Sequence, residues 1–173
     1  MKQINKGFSL LEVLITILLV TIGILGMVAM QGRSIQYTQD SLQRTQAAIL
    51  ANELVEIVRA SPTSVTPEDT DNLFFSDALP TNTNAVDCLQ IPANALMADQ
   101  LGCWGDKVRR TLPGLDSADI TSQFYVCLSS IPGECGAGTA LEVQLAWRAS
   151  GQDCLRADEP NSEICTYRVR TQI

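Results

Sequence analysis

The residues of this chain that could do chemistry are six cysteines, at positions 88, 103, 127, 135, 154 and 165, and one carboxylate, Glu12, set inside an apolar run. There is no histidine. That removes His-ligated metal sites, Ser–His–Asp triads and Cys–His pairs in one step. No two cysteines form a Cys-x-x-Cys pair, which speaks against a zinc ribbon or a thioredoxin-like motif. Disulfide formation is the chemistry left to the thiols. Their number is even, and they lie among turn residues in the second half of the chain, as expected of a protein folding in an oxidising compartment. No catalytic residue, cofactor or metal is expected.

The carboxylate needs its own account. Glu12 stands in "KGFSLLEVLITILLV", the start of a run from Phe8 to Met30 in which no other residue is charged. A charge at the centre of a membrane-spanning helix costs about 3 kcal/mol. The run is long enough to cross a hydrocarbon layer. Lys2 and Lys6 precede it with no acid beside them, so the rest of the chain should lie across the membrane from them, in a bacterium in the periplasm. That agrees with the cysteines. A secretory signal has a shorter apolar core and a small-residue cleavage site; here "GMVAMQGRS" leads straight into a helical pattern. A plain anchor explains length and orientation but not Glu12.

The elements that must position these residues follow. Gln31 to Ala60 contains no proline. Ile35, Leu42 and Ile49 fall at steps of seven, and Ala47, Leu50, Leu54, Ile57 and Val58 extend an apolar stripe. The spacing predicts one helix over about 8–60, apolar all round to 30 and amphipathic over 31–60, ending where Pro62 restricts Ser61. Gly23, Gly26 and Gly32 fit a helix that packs closely or bends.

Residues 61–173 read as one globular domain. A polar connection over 61–92 is anchored by Leu73, Phe74 and Phe75. Its "DTDN" lacks the glycine and distal glutamate of a calcium loop and reads as solvated. A helical region over 93–112 places Trp104, Val108 and Leu112 on one stripe, with Lys107, Arg109 and Arg110 as a solvated basic face. Alternation predicts strands at 123–129, 140–148 and 166–173, each with one buried and one wet face. "GECGAG" has no following lysine and is not a phosphate loop. The class is α+β, an antiparallel sheet on the amphipathic half of the long helix. Cysteine connectivity cannot be deduced from sequence; local pairs Cys88–Cys103, Cys127–Cys135 and Cys154–Cys165 fit this layout best.

The N-terminal combination resembles the class III signal of type IV prepilins: a short basic leader ending in Gly7, an aromatic at Phe8, a glutamate at the fifth place after the junction, then an apolar run. "GILGMVAMQGRSIQYTQDS", "LGCW", "LPG" and "LEVQLAWR" resemble minor pilins of the PilV family, the type IV pilus modification proteins. The resemblance implies a type IV pilin-like fold. It implies cleavage between Gly7 and Phe8 by prepilin peptidase, methylation of the Phe8 amine, and an assembly contact through Glu12. Residues 1–7 would be the leader and 8–30 the part of the helix that enters the fibre core. The implied partners are other minor pilins, the major pilin, a tip adhesin, and the inner membrane before assembly. The implied role is to start pilus assembly and support adhesion and twitching, with the protein passing from the inner membrane to the fibre at the cell surface. A minor pseudopilin of a type II secretion system shares the same signal and is the alternative. A tethered periplasmic enzyme or sensor would not need Glu12 behind a Gly-Phe junction. The net charge of −7 and pI near 4.5 exclude nonspecific nucleic-acid binding.

Overall fold

The computed structural model describes residues 9–60, 75–84, 86–91, 95–136, 138–149, 154 and 163–172. The chain divides into two compact units, Met1–Thr38 and Gln39–Ile173. Helix α1, Leu10–Arg59, contributes to both.

In the first unit α1 has no proline to break it. Ser9 opens it: its hydroxyl accepts from the Leu11 N–H at 3.3 Å, and its carbonyl accepts from the Glu12 N–H at 3.0 Å, supplying partners for donors that a helix start leaves unmatched. The hydroxyls of Thr16 and Thr21 donate back to the carbonyls of Val13 and Leu18, so this stretch presents few free polar groups.

In the second unit, α1 continues to Arg59 and is followed by α2 (Met97–Thr111), α3 (Ala118–Thr121), β1 (Tyr125–Ile131), β2 (Glu134–Cys135), β3 (Ala140–Arg148) and β4 (Ile164–Gln172). The strands form one antiparallel sheet in the order β2-β1-β3-β4. Its inner face packs on α1 through Ala47, Leu50, Ala51, Leu54, Val55 and Val58. Trp104 of α2 joins the same core and donates its indole N–H to the Leu50 carbonyl at 3.0 Å. The expected α+β arrangement is therefore the observed one, with a fourth strand.

Several expectations are corrected. The helix placed over 93–112 spans Met97–Thr111. It ends because Leu112, which precedes Pro113, is extended, as a residue before proline must be. The first and last strands lie at Tyr125–Ile131 and Ile164–Gln172 rather than 123–129 and 166–173. Leu42 and Ile49 are not part of the buried stripe; they are 57% and 59% exposed. Seven helical steps return close to one azimuth, so these two share a face, but the sheet covers the face of Ala47, Leu50, Leu54 and Val58 instead.

The larger correction concerns the wet face of β3. Leu141, Val143, Leu145 and Trp147 are buried as expected, but Glu142 and Gln144 are buried as well. The cover comes from neighbouring strands. Arg168 of β4 donates from Nε and Nη2 to Gln144 Oε1 at 3.1 and 2.8 Å. Arg170 donates to the carbonyls of Ser129 and Ser130 at 3.0 and 2.8 Å. The β1–β2 turn, with Pro132 and with Gly133 at φ 88°, donates its Gly133 N–H to Glu142 at 2.7 Å. Positive φ after a proline is the form of a type II turn and calls for glycine. The "GECGAG" stretch thus begins in this turn. Of the aromatic anchor at 73–75, Phe75 packs on the core; Leu73, Phe74 and the "DTDN" stretch lie outside the described residues.

Candidate functional site

The first unit presents an unpacked apolar surface. From Leu10 to Met30 every large apolar side chain is exposed, Val13 least at 46%. Such a surface exceeds the few hundred square ångströms that a soluble monomer leaves to water. It requires lipid or other helices around it. The helix is long and apolar enough to cross a membrane. A Cβ added at Gly23, Gly26 or Gly32 would meet no neighbour within 4 Å; the three positions are open notches where another helix could approach closely.

Glu12 sits in the first turn of this helix. The unpaired N–H groups there carry partial positive charge, which favours a carboxylate. Its side chain is exposed and stands among the uncovered leucines. Gly7 and Phe8 lie outside the described residues.

In the second unit the six cysteines form three disulfides. Cys88–Cys103 ties the connection before α2 to that helix; Cys127–Cys135 clips β1 to β2; Cys154–Cys165 joins the segment before β4 to its start. Of the expected solvated basic face, Lys107 and Arg110 are exposed along one cleft, while Arg109 is half-buried. Lys107 pairs with Glu53 at 2.7 Å. Arg109 donates to the carbonyls of Pro80 and Leu79 at 2.7 and 3.0 Å. Arg110 Nε donates to the Asp106 carbonyl. Lys107 thus ties α2 to α1 and Arg109 ties α2 to the segment before it, while Arg110 bonds within α2. An open cleft of about 580 Å³ between α1 and α2 is lined by Ile57, Trp104, Leu89 and Ile91 with Glu53 and Lys107 at its side. It gathers no nucleophile with a base beside it. Among the described residues no cluster of three His, Cys, Asp or Glu could hold a metal ion.

One polar cluster escaped the sequence reading. Glu142, fully buried, accepts from Tyr125 Oη at 2.8 Å and the Gly133 N–H at 2.7 Å, and Arg168 Nε lies 3.3 Å away. Burial alone would raise its carboxyl. Hydrogen bonds from Tyr125 and Gly133 and the charge of Arg168 outweigh burial and hold it below the usual carboxylate value. Burial and the bond to Glu142 push the Tyr125 phenol up to about 12. Arg168 also lies over the Tyr125 ring at 5.9 Å. The cluster pins the β1–β2 turn over the outer face of the sheet. Its only sequence signal was an acid in the central strand aligned with two arginines in the last.

Two family models match the chain. The model of the prokaryotic N-terminal methylation motif covers residues 2–28. The Tt1218-like model, described as type IV pilin Tt1218, covers residues 29–101. No curated protein and no solved structure matches it. A prepilin methylation motif and a type IV pilin domain are thus both found here, on a long apolar helix followed by a small antiparallel sheet. These matches support a pilin-like pilus component. The prepilin motif implies processing by prepilin peptidase and assembly with other pilins, and with the apolar helix it suggests anchoring in a membrane.

Proposed function

We propose that this chain is a minor pilin of a type IV pilus, of the PilV kind, assembled with other minor pilins at the fibre tip. There it would start assembly and support display of an adhesin. On this reading prepilin peptidase cuts between Gly7 and Phe8, and the Phe8 amine is methylated. The apolar part of α1 holds the subunit in the inner membrane with the second unit in the periplasm, until it moves into the fibre core.

The observation that carries the proposal is the exposed carboxylate of Glu12 in the first turn of a helix whose large apolar residues from Leu10 to Met30 are all exposed. In the fibre core Glu12 would pair with the Phe8 ammonium of a neighbouring subunit. Low polarity strengthens that attraction, and it also makes an unpaired charge there unfavourable. Pairing would therefore favour the fibre for the correctly placed subunit.

The test shears pili from cells carrying Glu12→Ala or Glu12→Gln and compares fibre-bound with membrane-bound protein. Both variants should be cut and inserted normally and should be depleted from the fibre by tenfold or more. Normal incorporation of both would refute the pairing. Loss of type II secretion with intact pili would instead place the chain among the pseudopilins.

A further inference from the structure

Arg33 is the first charged residue after Glu12. Both stand on α1, about 31 Å apart along the axis at a rise of about 1.5 Å per residue. The apolar run Leu10–Met30 covers the same length, close to the hydrocarbon thickness of about 30 Å. When this run fills the hydrocarbon layer, Glu12 lies within one turn of one boundary. Arg33 then lies about 5 Å beyond the other, within the headgroup layer. Among the described residues nothing pairs with its guanidinium. Tyr37 follows one turn on, on the same side of the helix, and is 56% exposed. A tyrosine with an apolar ring and a polar tip is at home in the membrane interface.

We propose that Arg33 binds the phosphate of a phospholipid headgroup at the boundary beyond Met30, with Tyr37 in the same interface, and that the pair sets how deeply α1 sits. A guanidinium matches a phosphate with two parallel N–H donors. The proposal rests on α1 being the membrane anchor; it does not rest on Glu12 pairing in the fibre. It also assigns a consequence to leader cleavage. Cutting after Gly7 removes Lys2 and Lys6, leaving Arg33 the only basic side chain before Arg44. The cleaved helix then carries a basic side chain at the far boundary alone.

The experiment labels arginine Cζ with ¹³C in the full chain, reconstituted in vesicles of phosphatidylethanolamine and phosphatidylglycerol, and measures ¹³C–³¹P dipolar dephasing. One arginine's share of the signal should dephase, and Arg33→Gln should remove that share entirely. Glu12→Gln should leave it unchanged. No dephasing in the parent chain, or the same dephasing in Arg33→Gln, overturns the proposal. So does dephasing replaced by a contact from Arg33 to carboxylate carbon, which would make its partner another helix rather than lipid. Dephasing as expected, together with normal fibre entry of the Glu12 variants, would retain the lipid contact and remove only the fibre pairing.

Discussion

Replacing Glu142 with glutamine tests whether the buried carboxylate holds the outer face of the sheet closed. The substitution preserves shape and removes charge. Glu142 accepts two short bonds, from Gly133 N–H at 2.7 Å and Tyr125 Oη at 2.8 Å. Hydrogen bonds to a charged group contribute about 1 kcal/mol more than neutral ones, so two of them give a loss of about 2 kcal/mol. The ion pair with Arg168 adds little, because that side chain is 37% exposed and keeps both bonds to Gln144. For a unit of this size the melting temperature should fall by about 6–10 °C at pH 7. The loss should depend on pH. The folded carboxyl titrates below its unfolded value, so its contribution is present above the unfolded pKa and is lost as pH falls through the folded one. The gap between parent and variant should therefore close on acidification. Tyr125, raised to about 12, acts at the other end: its contribution is present below its unfolded value and lost as pH rises through the folded one. In the variant its ultraviolet titration, isolated by subtracting Tyr125→Phe, should move down while staying above the free value, because burial remains. Melts of the full chain in detergent at several pH values supply the data. Equal stability at pH 7, or a gap that does not change with pH, would refute the account.

Gly105→Ala should cost about 2–3 kcal/mol, because the added Cβ would stand 2.1 Å from the Pro80 carbonyl oxygen, a backbone atom that cannot swing aside; urea unfolding of the full chain in detergent reads this directly. Replacing Cys88 and Cys103 together by serine opens a loop whose ends are 15 residues apart and should cost about 3 kcal/mol on the chain-entropy account, seen as a lower midpoint with an unchanged fold by circular dichroism.

The helix and the central strand were legible because each has a strong period and no breaker. Nothing in α1 interrupts the pattern before Pro62, and β3 alternates through nine residues. What could not be read was which neighbour covers which face. The step of seven from Ile35 to Ile49 is real, but an exposed stripe and a buried one look alike in sequence. The outer side of β3 reads as polar and wet; it is dry because Arg168 and Arg170 from β4 fold over it, and β4 is joined to β3 through a long connection. The two-residue β2 and the four-residue α3 are too short to leave a period. The carboxylate at Glu12 was visible at once, and the cost of a charge at the centre of a membrane helix is an upper bound for it. Its position two residues into α1 puts it at the edge.

That position bears on how one residue can serve both lipid and fibre. At the edge of the hydrocarbon layer a carboxylate can reach headgroup water, so its cost falls well below the mid-membrane value. The first helical turn also offers it partial positive charge. The membrane can therefore hold the subunit without a partner for Glu12. In the proposed fibre core there is no headgroup water to reach, and a carboxylate charge would need a cation close by. On the proposed pairing, movement from one setting to the other would make the partner obligatory where it had been dispensable. A glutamate in the middle of the run would be unfavourable in both settings until paired and would weaken anchoring itself. A glutamate beyond the run would be solvated throughout and would give no preference for the fibre. On the proposed pairing, only a carboxylate within the first turn would leave the anchor intact while making entry to the fibre depend on a neighbour's charge.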